Sequence, residues 1–387
     1  MDFVPPFRAW AEVDLDRLVS NFRELSKAAN NARVMCVVKA NAYGHGAAIC
    51  AKKLEQAGCV QFGVATLEEA IELRLSGIKS KILLLNHVDK NRICDALNAG
   101  IDLTVFSLEL AEDISKSAKD TVNIHIKLDT GLNRIGFKPQ EALEKISKVN
   151  ALSNINIEGV FTHFASSFSA DTTYTEFQTK VFEKICQELT NAGISIGLRH
   201  AANSAAVIKH PKTHFDMVRI GISLYGCSPF DTTEKMDVKL LPCMQLKASI
   251  NRVIDLGPGE AISYGGLFVT KRPSKIATMP IGYADGVCAV LTNKLKVLVN
   301  GQIAPVVGKI CMDQCIVDIT DIQGDVEVGD EAVIFGEQKG GFIPVEQPAG
   351  QMGTINYEVL CMVSRRVPRY YAESGKIVLK EDFSGNY

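Results

Sequence analysis

The chain has 387 residues, 47% of them hydrophobic and 22% charged, which is enough for two domains that each bury a core. Its 42 basic and 44 acidic residues leave a formal net charge of −2, so it lacks the charge excess typical of nucleic-acid and anionic-membrane binders. No apolar run approaches a membrane-spanning length, and the N-terminus lacks a basic stretch followed by an apolar one. We therefore expect a cytoplasmic protein without nucleic-acid or membrane partners.

The eleven cysteines lie mostly inside apolar runs, which is typical of small core residues in a reducing compartment. Cys311 and Cys315 have the wrong spacing for a zinc ribbon, and no second pair complements them. Pro211 stands between His210 and His214 and spoils a helical ligand pair. We predict neither a disulfide framework nor a metal site.

Short β-branched runs alternate with segments of helical period between about residues 33 and 220. Eight strands linked by helices predict an α/β chain with a (β/α)8 barrel. The predicted strands are Arg33–Lys39, Gln61–Ala65, Lys81–Leu85, Ile101–Phe106, Val122–Asp129, Ile155–His163, Gly197–Ala201 and Phe215–Arg219. The predicted helices are Leu15–Asn30, Ala47–Ala57, Thr66–Ser76, Leu108–Ala118, Pro139–Val149 and Thr175–Asn191.

Beyond about Leu240 the pattern changes to short β-branched runs separated by turn signals, which predicts a C-terminal all-β domain. The clearest hairpin has Asn300 and Gly301 at its turn, because a two-residue type I′ turn requires positive φ at both positions. The predicted domains are residues 8–240, the barrel, and 241–387, the β-rich domain. Residues 1–7 could pack on the second domain, and the strand-like segment Phe7–Val13 fits either one.

Lys39 follows the continuous apolar run Val34–Val38 and precedes a turn. A lysine at the end of a buried strand is partly desolvated, and such amines serve as nucleophiles or bases in Schiff-base enzymes. The alternative is a lysine that extends from the strand end into water. The polar residues at the ends of the other predicted strands decide between these two interpretations.

Polar residues recur at the carboxyl ends of the predicted strands, where a barrel of this class carries its chemistry. The alternation of His125, Lys127 and Asp129 predicts three ionisable groups inside the barrel. The remaining polar residues at strand ends or in the loops after them are Lys39, Arg134, His163, His200, Asn203, Ser204 and Arg219.

A capping-type residue, Asn203, and a loop glycine, Gly221, follow the last two barrel strands. Together with Ser204 they could cradle a phosphate, although either motif taken alone is better explained as an ordinary helix cap or a loop glycine. A phosphate cradle opposite a buried lysine suggests pyridoxal phosphate.

Nine motifs in order make the chain resemble the alanine racemase family over essentially its full length. They are Val38–Gly46, Lys127–Gly136, Thr162–Ala165, Ala202–Ala206, Arg219–Gly226, Ile262–Gly265, Pro280–Gly286, Cys311–Gln314 and Gly353–Glu358. The family fold is a barrel followed by a β domain, in agreement with the predicted boundary.

The resemblance implies an enzyme that interconverts L-alanine and D-alanine by two-base Cα proton transfer on a pyridoxal 5′-phosphate aldimine, supplying D-alanine for peptidoglycan. Lys39 would hold the cofactor as a Schiff base and act on the D enantiomer. Tyr264, from the second subunit of a homodimer with shared active sites, would act on the L enantiomer. His163 would be the neighbour that allows Tyr264 to act near neutral pH, and His200 and Arg219 would lie behind His163.

The resemblance also assigns the contacts around the cofactor. Arg219 would face the pyridine nitrogen and leave it unprotonated, because a guanidinium keeps its hydrogens and offers no acceptor. An unprotonated nitrogen would limit the capacity of the cofactor to act as an electron sink. Arg134 would contact the cofactor phenolate or the substrate carboxylate, Met312 and Asp313 would reach the substrate from the other subunit, and Lys127 could be carbamylated. The other expected cofactor contacts are Tyr43, His163, Asn203, Ser204, Gly221, Ile222 and Tyr357.

Two segments depart from the family pattern. Ser166–Phe168 stands where the family often has an acidic residue, and Val287–Val290 lacks a common arginine. Both would line the path by which substrate reaches the site. Two alternatives stay open: a racemase for serine or lysine, which needs a larger pocket, and a non-catalytic pyridoxal phosphate carrier, which lacks the β domain and the second base.

Overall fold

The computed structural model of the chain describes residues 8–230, 236–382 and 385–386. These residues form two compact units: one contains residues 18–42 and 47–241, and the other contains residues 8–17, residues 43–46 and the described residues from 242 onward. The first described strand, β1 (Ala9–Asp14), belongs to the second unit. Residues 1–7 lie outside the described residues.

The first unit is a closed barrel of eight strands that pair in parallel in sequence order. This confirms the predicted fold class, and each strand coincides with a predicted one to within a few residues. The strands are β2 (Arg33–Val37), β3 (Gln61–Val64), β4 (Lys81–Leu84), β5 (Asp102–Val105), β6 (Val122–Lys127), β7 (Ile155–Phe161), β8 (Leu198–His200) and β9 (Met217–Ile220).

Amphipathic helices connect these strands. Thr66 caps one helix through a reciprocal capping box with Glu69, which is the expected start signal. The helices are α1 (Leu15–Ala28), α2 (Ala47–Gln56), α3 (Leu67–Leu75), α4 (Ile93–Asn98), α5 (Leu108–Ser117), α6 (Pro139–Asn150), α7 (Thr173–Asn191) and α8 (Ser204–Lys209). Single 3₁₀ turns occur at Lys90–Arg92, Pro211–Thr213, Ile222–Tyr225 and Ala289–Leu291. The short helix α4 was not predicted.

The strand before Lys39 is shorter than predicted, because it ends at Val37. Residues Ala40 to Tyr43 all have positive φ, between 51° and 54°, so the chain makes a left-handed turn immediately after Lys39. L-residues adopt this conformation only at a cost, so it must be held from outside. A Glu69 carboxylate oxygen accepts the Ala40 N–H at 2.6 Å, and the Asn41 side chain accepts the Ala47 N–H at 2.8 Å.

The second unit contains a nine-stranded sheet. β1 pairs antiparallel with β10 (Met244–Ser249) and parallel with β20 (Arg369–Glu373). The segment that fitted either domain therefore adds a strand to this sheet. The remaining strands of this unit, which belong to the large sheet or to two smaller sheets, are β11 (Arg252–Leu256), β12 (Ala261–Ile262), β13 (Phe268–Val269), β14 (Ser274–Met279), β15 (Lys296–Val299), β16 (Gln302–Pro305), β17 (Cys315–Asp318), β18 (Glu331–Gln338), β19 (Gly341–Ile343), β21 (Lys376–Asp382) and β22 (Gly385–Asn386).

The large sheet has the order β16-β15-β18-β10-β1-β20-β21-β22, with β19 paired to β18. The predicted hairpin is confirmed: Val299 pairs with Gln302, and Asn300 and Gly301 have φ values of 51° and 74°. Two short helices, α9 (Glu346–Met352) and α10 (Asn356–Met362), interrupt the region predicted as all-β. The domain boundary after residue 240 remains our proposal, since the compact units are discontinuous in sequence.

No helix in the described ranges is both long and apolar enough to cross a membrane.

Candidate active site

A buried arginine organises the carboxyl end of the barrel. Arg219 is only 4% exposed, and its Nη1 donates to the His200 carbonyl at 2.9 Å and to His200 Nδ1 at 3.0 Å. Its Nη2 donates to the Thr162 and Ala201 carbonyls at 2.7 and 3.0 Å and to His163 Nδ1 at 3.2 Å. None of these acceptors is a carboxylate, and burial lowers the pKa of Arg219 to about 9.

The two histidines bonded to Arg219 are neutral. Burial and then the Arg219 charge hold the pKa of both His163 and His200 well below the usual range. A guanidinium can only donate hydrogen bonds, so Nδ1 of each ring accepts and the hydrogen lies on Nε2. His163 is therefore a neutral donor at the mouth of the barrel.

Lys127 is the last residue of β6 and is 2% exposed. Its amine donates to the Leu128 carbonyl at 2.8 Å and lies 5.5 Å from the centre of the Phe161 ring. Burial, followed by repulsion from Arg219 and Arg134, lowers the pKa of Lys127 to about 7. A large fraction of this amine is therefore uncharged near neutral pH.

The prediction that Asp129 belongs to the barrel strand is wrong. β6 ends at Lys127, and Asp129 turns to the loop that follows, where it accepts the Gly131 and Asn133 N–H groups at 3.1 and 2.9 Å and the Lys138 amine at 2.7 Å. Burial would raise the pKa of Asp129, but these donors lower it below its usual range. The carboxylate thus folds the loop that carries the exposed Arg134.

Positive charge is concentrated around His163. Four cations contribute to the low pKa of this ring in addition to its burial: Arg219, Lys127, Arg134 and Lys39. The Asp129 carboxylate near Lys127 is already paired with Lys138. The barrel mouth therefore carries a surplus of positive charge that suits an anionic ligand.

The predicted phosphate-binding loops also lie at this mouth. Asn203 caps α8 by accepting the Ala206 N–H at 3.0 Å, as predicted. The Ser204 hydroxyl accepts the Gly221 N–H at 2.9 Å, which joins the loops after β8 and β9. Ile222 follows this glycine and is buried.

Tyr264 lies in the second unit and is 70% exposed. It stands in a sharp turn in which Ser263, Gly265 and Gly266 have φ values of 62°, 72° and 57°. The Ser263 hydroxyl donates to the Lys309 carbonyl at 2.7 Å and fixes one end of the turn. The phenol is thus presented outward on an anchored turn.

Met312 and Asp313 occupy the loop that follows Lys309, and both are exposed. The Ala284 N–H donates to the Met312 carbonyl at 3.0 Å. Arg366 donates to the Asp313 carboxylate, and its Nε donates to buried Asp285 at 2.8 Å. This side of the unit therefore presents Met312 and Asp313 on a loop that a backbone hydrogen bond and Arg366 hold in place.

Tyr43 and Tyr357 lie together in the second unit, with ring centroids 6.1 Å apart. Tyr43 belongs to the left-handed turn, and Tyr357 lies on α10. The structure therefore joins two of the predicted cofactor contacts that are more than 300 residues apart in sequence.

Sequence reasoning missed two residues that hold these groups in place. Gln178 on α7 is fully buried, accepts the Ala165 N–H at 2.9 Å and donates to the His163 carbonyl at 3.2 Å. Its position in the apolar stripe of α7 was the available signal. Arg366, which binds Asp313, had no such signal, because its spacing from the loop is long.

The chain matches two family models, "Alanine racemase, N-terminal domain" over residues 13–229 and "Alanine racemase, C-terminal domain" over residues 243–371. It is 44% identical to alanine racemase 1 of Clostridium acetobutylicum over 373 residues, which is 95% of this chain and 96% of that protein.

Solved structures agree with these matches. Alanine racemase of Clostridium difficile 630 superposes with a TM-score of 0.93 at 40% identity, covering 97% of this chain and 98% of that one. Alanine racemase of Bartonella henselae with covalently bound pyridoxal phosphate superposes with a TM-score of 0.85 at 31% identity, covering 95% and 100%. The chain therefore belongs to the alanine racemase family of amino-acid racemases.

Proposed function

We propose that this chain interconverts L-alanine and D-alanine by two-base proton transfer at Cα, with pyridoxal 5′-phosphate held covalently by the Lys39 amine. The observation that carries the proposal is the surplus of positive charge around His163 at the mouth of a barrel of this family, contributed by buried Arg219 and Lys127, half-buried Lys39 and exposed Arg134. The cofactor fits this surplus, because its phosphate and phenolate supply negative charge. The Bartonella henselae relative with covalently bound pyridoxal phosphate supports the same assignment.

Two groups of residues would hold the cofactor. Ser204, Gly221 and Ile222, with Tyr43 and Tyr357, would bind its phosphate. Lys39, Arg134, His163, Asn203 and Arg219 would surround the ring and its linkage. When bound, the cofactor acts as an electron sink that acidifies the Cα–H bond of an amino acid.

Racemisation needs a proton acceptor and donor on each face of Cα. We assign the Lys39 Nζ to the face from which D-alanine loses its proton and the Tyr264 hydroxyl to the other. The Nε2–H of neutral His163 can donate to the Tyr264 oxygen and stabilise its anionic form. In each direction one of these groups would remove the proton from its own face of Cα, and the other, in its protonated form, would return a proton from the opposite face.

Arg219 tunes the electronics of the site. It retains its hydrogens and offers no acceptor, so it would leave the pyridine nitrogen of a bound cofactor unprotonated. This would restrain charge withdrawal into the ring and favour return of the proton to Cα over transamination. The five hydrogen bonds of its guanidinium hold it in place for that task.

Substrate recognition is assigned to Arg134, Met312 and Asp313. Arg134 would pair with the alanine carboxylate, and Met312 and Asp313 would close the site around a small side chain. A carbamate on Lys127 would convert a buried cation into an anion beside Arg134 and orient it. The low pKa of Lys127, about 7, supports this modification, because only an uncharged amine reacts with carbon dioxide.

The exposure of Tyr264 supports active sites that are shared between two subunits. A phenol that is 70% exposed lacks the dry surroundings that a proton-transfer group requires. A second copy of the chain would enclose it, so that each site combines Lys39 of one subunit with Tyr264 of the other. We further propose that the enzyme acts in the cytoplasm and supplies D-alanine for peptidoglycan, which disruption of the gene would test through a requirement for D-alanine.

The cofactor assignment is tested by the visible absorbance of the purified protein and by borohydride reduction followed by peptide mapping. We expect the reduced cofactor on Lys39 and on no other lysine. Protein that takes up no pyridoxal phosphate would overturn the proposal. Deuterium exchange at Cα of L- and D-alanine, serine and lysine then fixes the substrate, with Tyr264→Phe expected to lose exchange for L-alanine more than for D-alanine.

Mixed dimers test the shared site. Lys39→Ala and Tyr264→Phe chains are each expected to be inactive alone. After unfolding and refolding as an equal mixture, random pairing places both intact bases together in about a quarter of the sites. Recovery of about that fraction of wild-type activity supports sharing, and no recovery assigns both bases to one chain.

A further inference from the structure

A third buried imidazole extends the hydrogen-bond chain that begins at His163. His125 on β6 is fully buried, and its Nδ1 lies 2.9 Å from His200 Nε2. The two rings meet edge to face with centroids 5.1 Å apart. The connected groups are therefore His163, Arg219, His200 and His125.

The direction of every hydrogen bond among these groups can be deduced by starting from Arg219, which can only donate. Its Nη1 donates to His200 Nδ1, so the hydrogen of neutral His200 lies on Nε2. The atom that receives this hydrogen is His125 Nδ1, and the hydrogen of His125 must then lie on its own Nε2. His163, His200 and His125 thus share one tautomer.

His125 is also neutral. Burial, followed by repulsion from Lys81 and Arg219, lowers its pKa to about 3. Thr104 lies directly opposite His125 in the register of β5 and β6. Neither Thr104 Oγ1 nor His125 Nε2 has a hydrogen-bond partner among the residues that the structure describes. The hydrogen bond between His125 Nδ1 and His200 Nε2 therefore orients the ring.

We propose that His125 is a positioning residue for racemisation: as the last acceptor of the chain it fixes the tautomer of His200 and thereby the orientation of Arg219. Hydrogen bonds in a chain polarise one another. Acceptance of the His200 Nε2–H makes His200 Nδ1 a better acceptor for the guanidinium. Without His125, His200 could place its hydrogen on Nδ1 and turn an acceptor for Arg219 into a competing donor.

The catalytic consequence rests on the proposed function, whereas the hydrogen-bond pattern does not. Arg219 restrains charge withdrawal by the cofactor ring, so a misoriented Arg219 should let more turnovers end in transamination. A histidine that only fills space in the core would leave the ratio of racemisation to transamination unchanged. This ratio separates positioning from packing.

Two substitutions of similar size isolate the acceptor. Asn in place of His125 can keep an oxygen near the position of Nδ1, whereas Leu fills the space without an acceptor. We expect His125→Leu to lower kcat on the order of tenfold or more with little change in KM, and to raise pyruvate formed per racemisation event. His125→Asn should restore most of kcat and the ratio, and equal behaviour of the two variants would overturn the proposal.

Nitrogen-15 spectra of the wild-type holoenzyme test the pattern even where a variant fails to fold. The chain has seven histidines, so selective labelling of histidine gives few signals. Spectra of labelled variants that each lack one of the three histidines assign these signals to residues. Neutral Nε2–H rings at His125 and His200 support the inference. A protonated ring, or an Nδ1–H tautomer at His200, overturns it. The same spectra of cofactor-free protein show the pattern even if the proposed function fails.

Discussion

Gly159 on β7 leaves the space into which His125 turns. A Cβ atom at position 159 would lie 2.5 Å from His125 Nδ1 and 2.8 Å from the Leu198 carbonyl. Both distances are shorter than van der Waals contact, and the second involves backbone that cannot rotate away. The glycine is therefore required by the imidazole on the neighbouring strand.

Gly159→Ala should force His125 out of line with His200. Overpacking of a closely packed interior costs about 1–3 kcal/mol, so we expect a loss of that size in the free energy of unfolding, together with a loss of kcat. Urea denaturation and steady-state racemisation measure both. Gly350→Ala is the matched control, because nothing lies within 4 Å of a Cβ there; a Gly159→Ala protein as stable as this control would contradict the packing argument.

Asp102 should make the stability of the protein depend on pH. Burial raises its pKa from 3.8 to about 6. The folded state then holds this proton more tightly than the unfolded state, so its contribution to stability falls as pH rises from about 4 to about 6 and is constant above that. Asp102→Asn removes the charged form.

We expect Asp102→Asn to gain roughly 1–3 kcal/mol over wild type at pH 7 and little at pH 4. Chemical denaturation at several pH values between these limits measures the difference. Asp120→Asn is the control, because it makes the same substitution at an exposed position. A difference between Asp102→Asn and wild type that does not grow with pH would show that the carboxyl is not desolvated.

Glu69 holds the left-handed turn beside Lys39 to the loop after β3. Its carboxylate accepts the Ala40 N–H at 2.6 Å and the Ala65 N–H at 2.8 Å. Glu69→Ala leaves both donors without this acceptor, so we expect it to cost about 1–3 kcal/mol of unfolding free energy and to weaken retention of the cofactor on Lys39. Glu68→Ala is the control, since its ion pair with Arg92 is exposed and such pairs contribute little. Equal losses of unfolding free energy and of cofactor retention in the two variants would show that Glu69 does not hold this turn.

Lys127 should take up carbon dioxide as a carbamate. Its pKa of about 7 leaves most of the amine uncharged at pH 8, ready to attack carbon dioxide and release a proton. We expect one carbon-13 carbamate signal per chain after incubation with labelled bicarbonate, absent in Lys127→Met. Wild-type protein without that signal at pH 8 would show that Arg134 is oriented without the modification.

The barrel could be predicted because its strands are short, β-branched and separated by helices with clear apolar periodicity. The conformation after Lys39 could not, because alanine has no preference for positive φ and the turn is imposed by Glu69, about 30 residues away. Asp129 was misplaced for a similar reason. Alternation in β6 predicted an inward carboxylate, but Lys138 and two loop N–H groups compete for it.

The site was predictable as a set of residues, but its electrostatics were not. Arg219 and His163 could be placed at strand ends, yet the sequence does not show that the Arg219 acceptors include carbonyls of three residues. Nor does it show that Gln178 fixes the loop carrying His163. These relations depend on the packing of strands and helices that are distant in sequence.

The surplus of positive charge at the barrel mouth has a consequence for the choice of inhibitors. A compound that places two anionic groups there relieves repulsion already present in the protein, whereas a neutral compound of the same shape leaves it in place. Affinity in a chemical series should therefore rise with anionic charge and fall with ionic strength. Multivalent anions in a screening buffer would mask weak hits by the same competition, so screens against this protein are best run in a monovalent buffer.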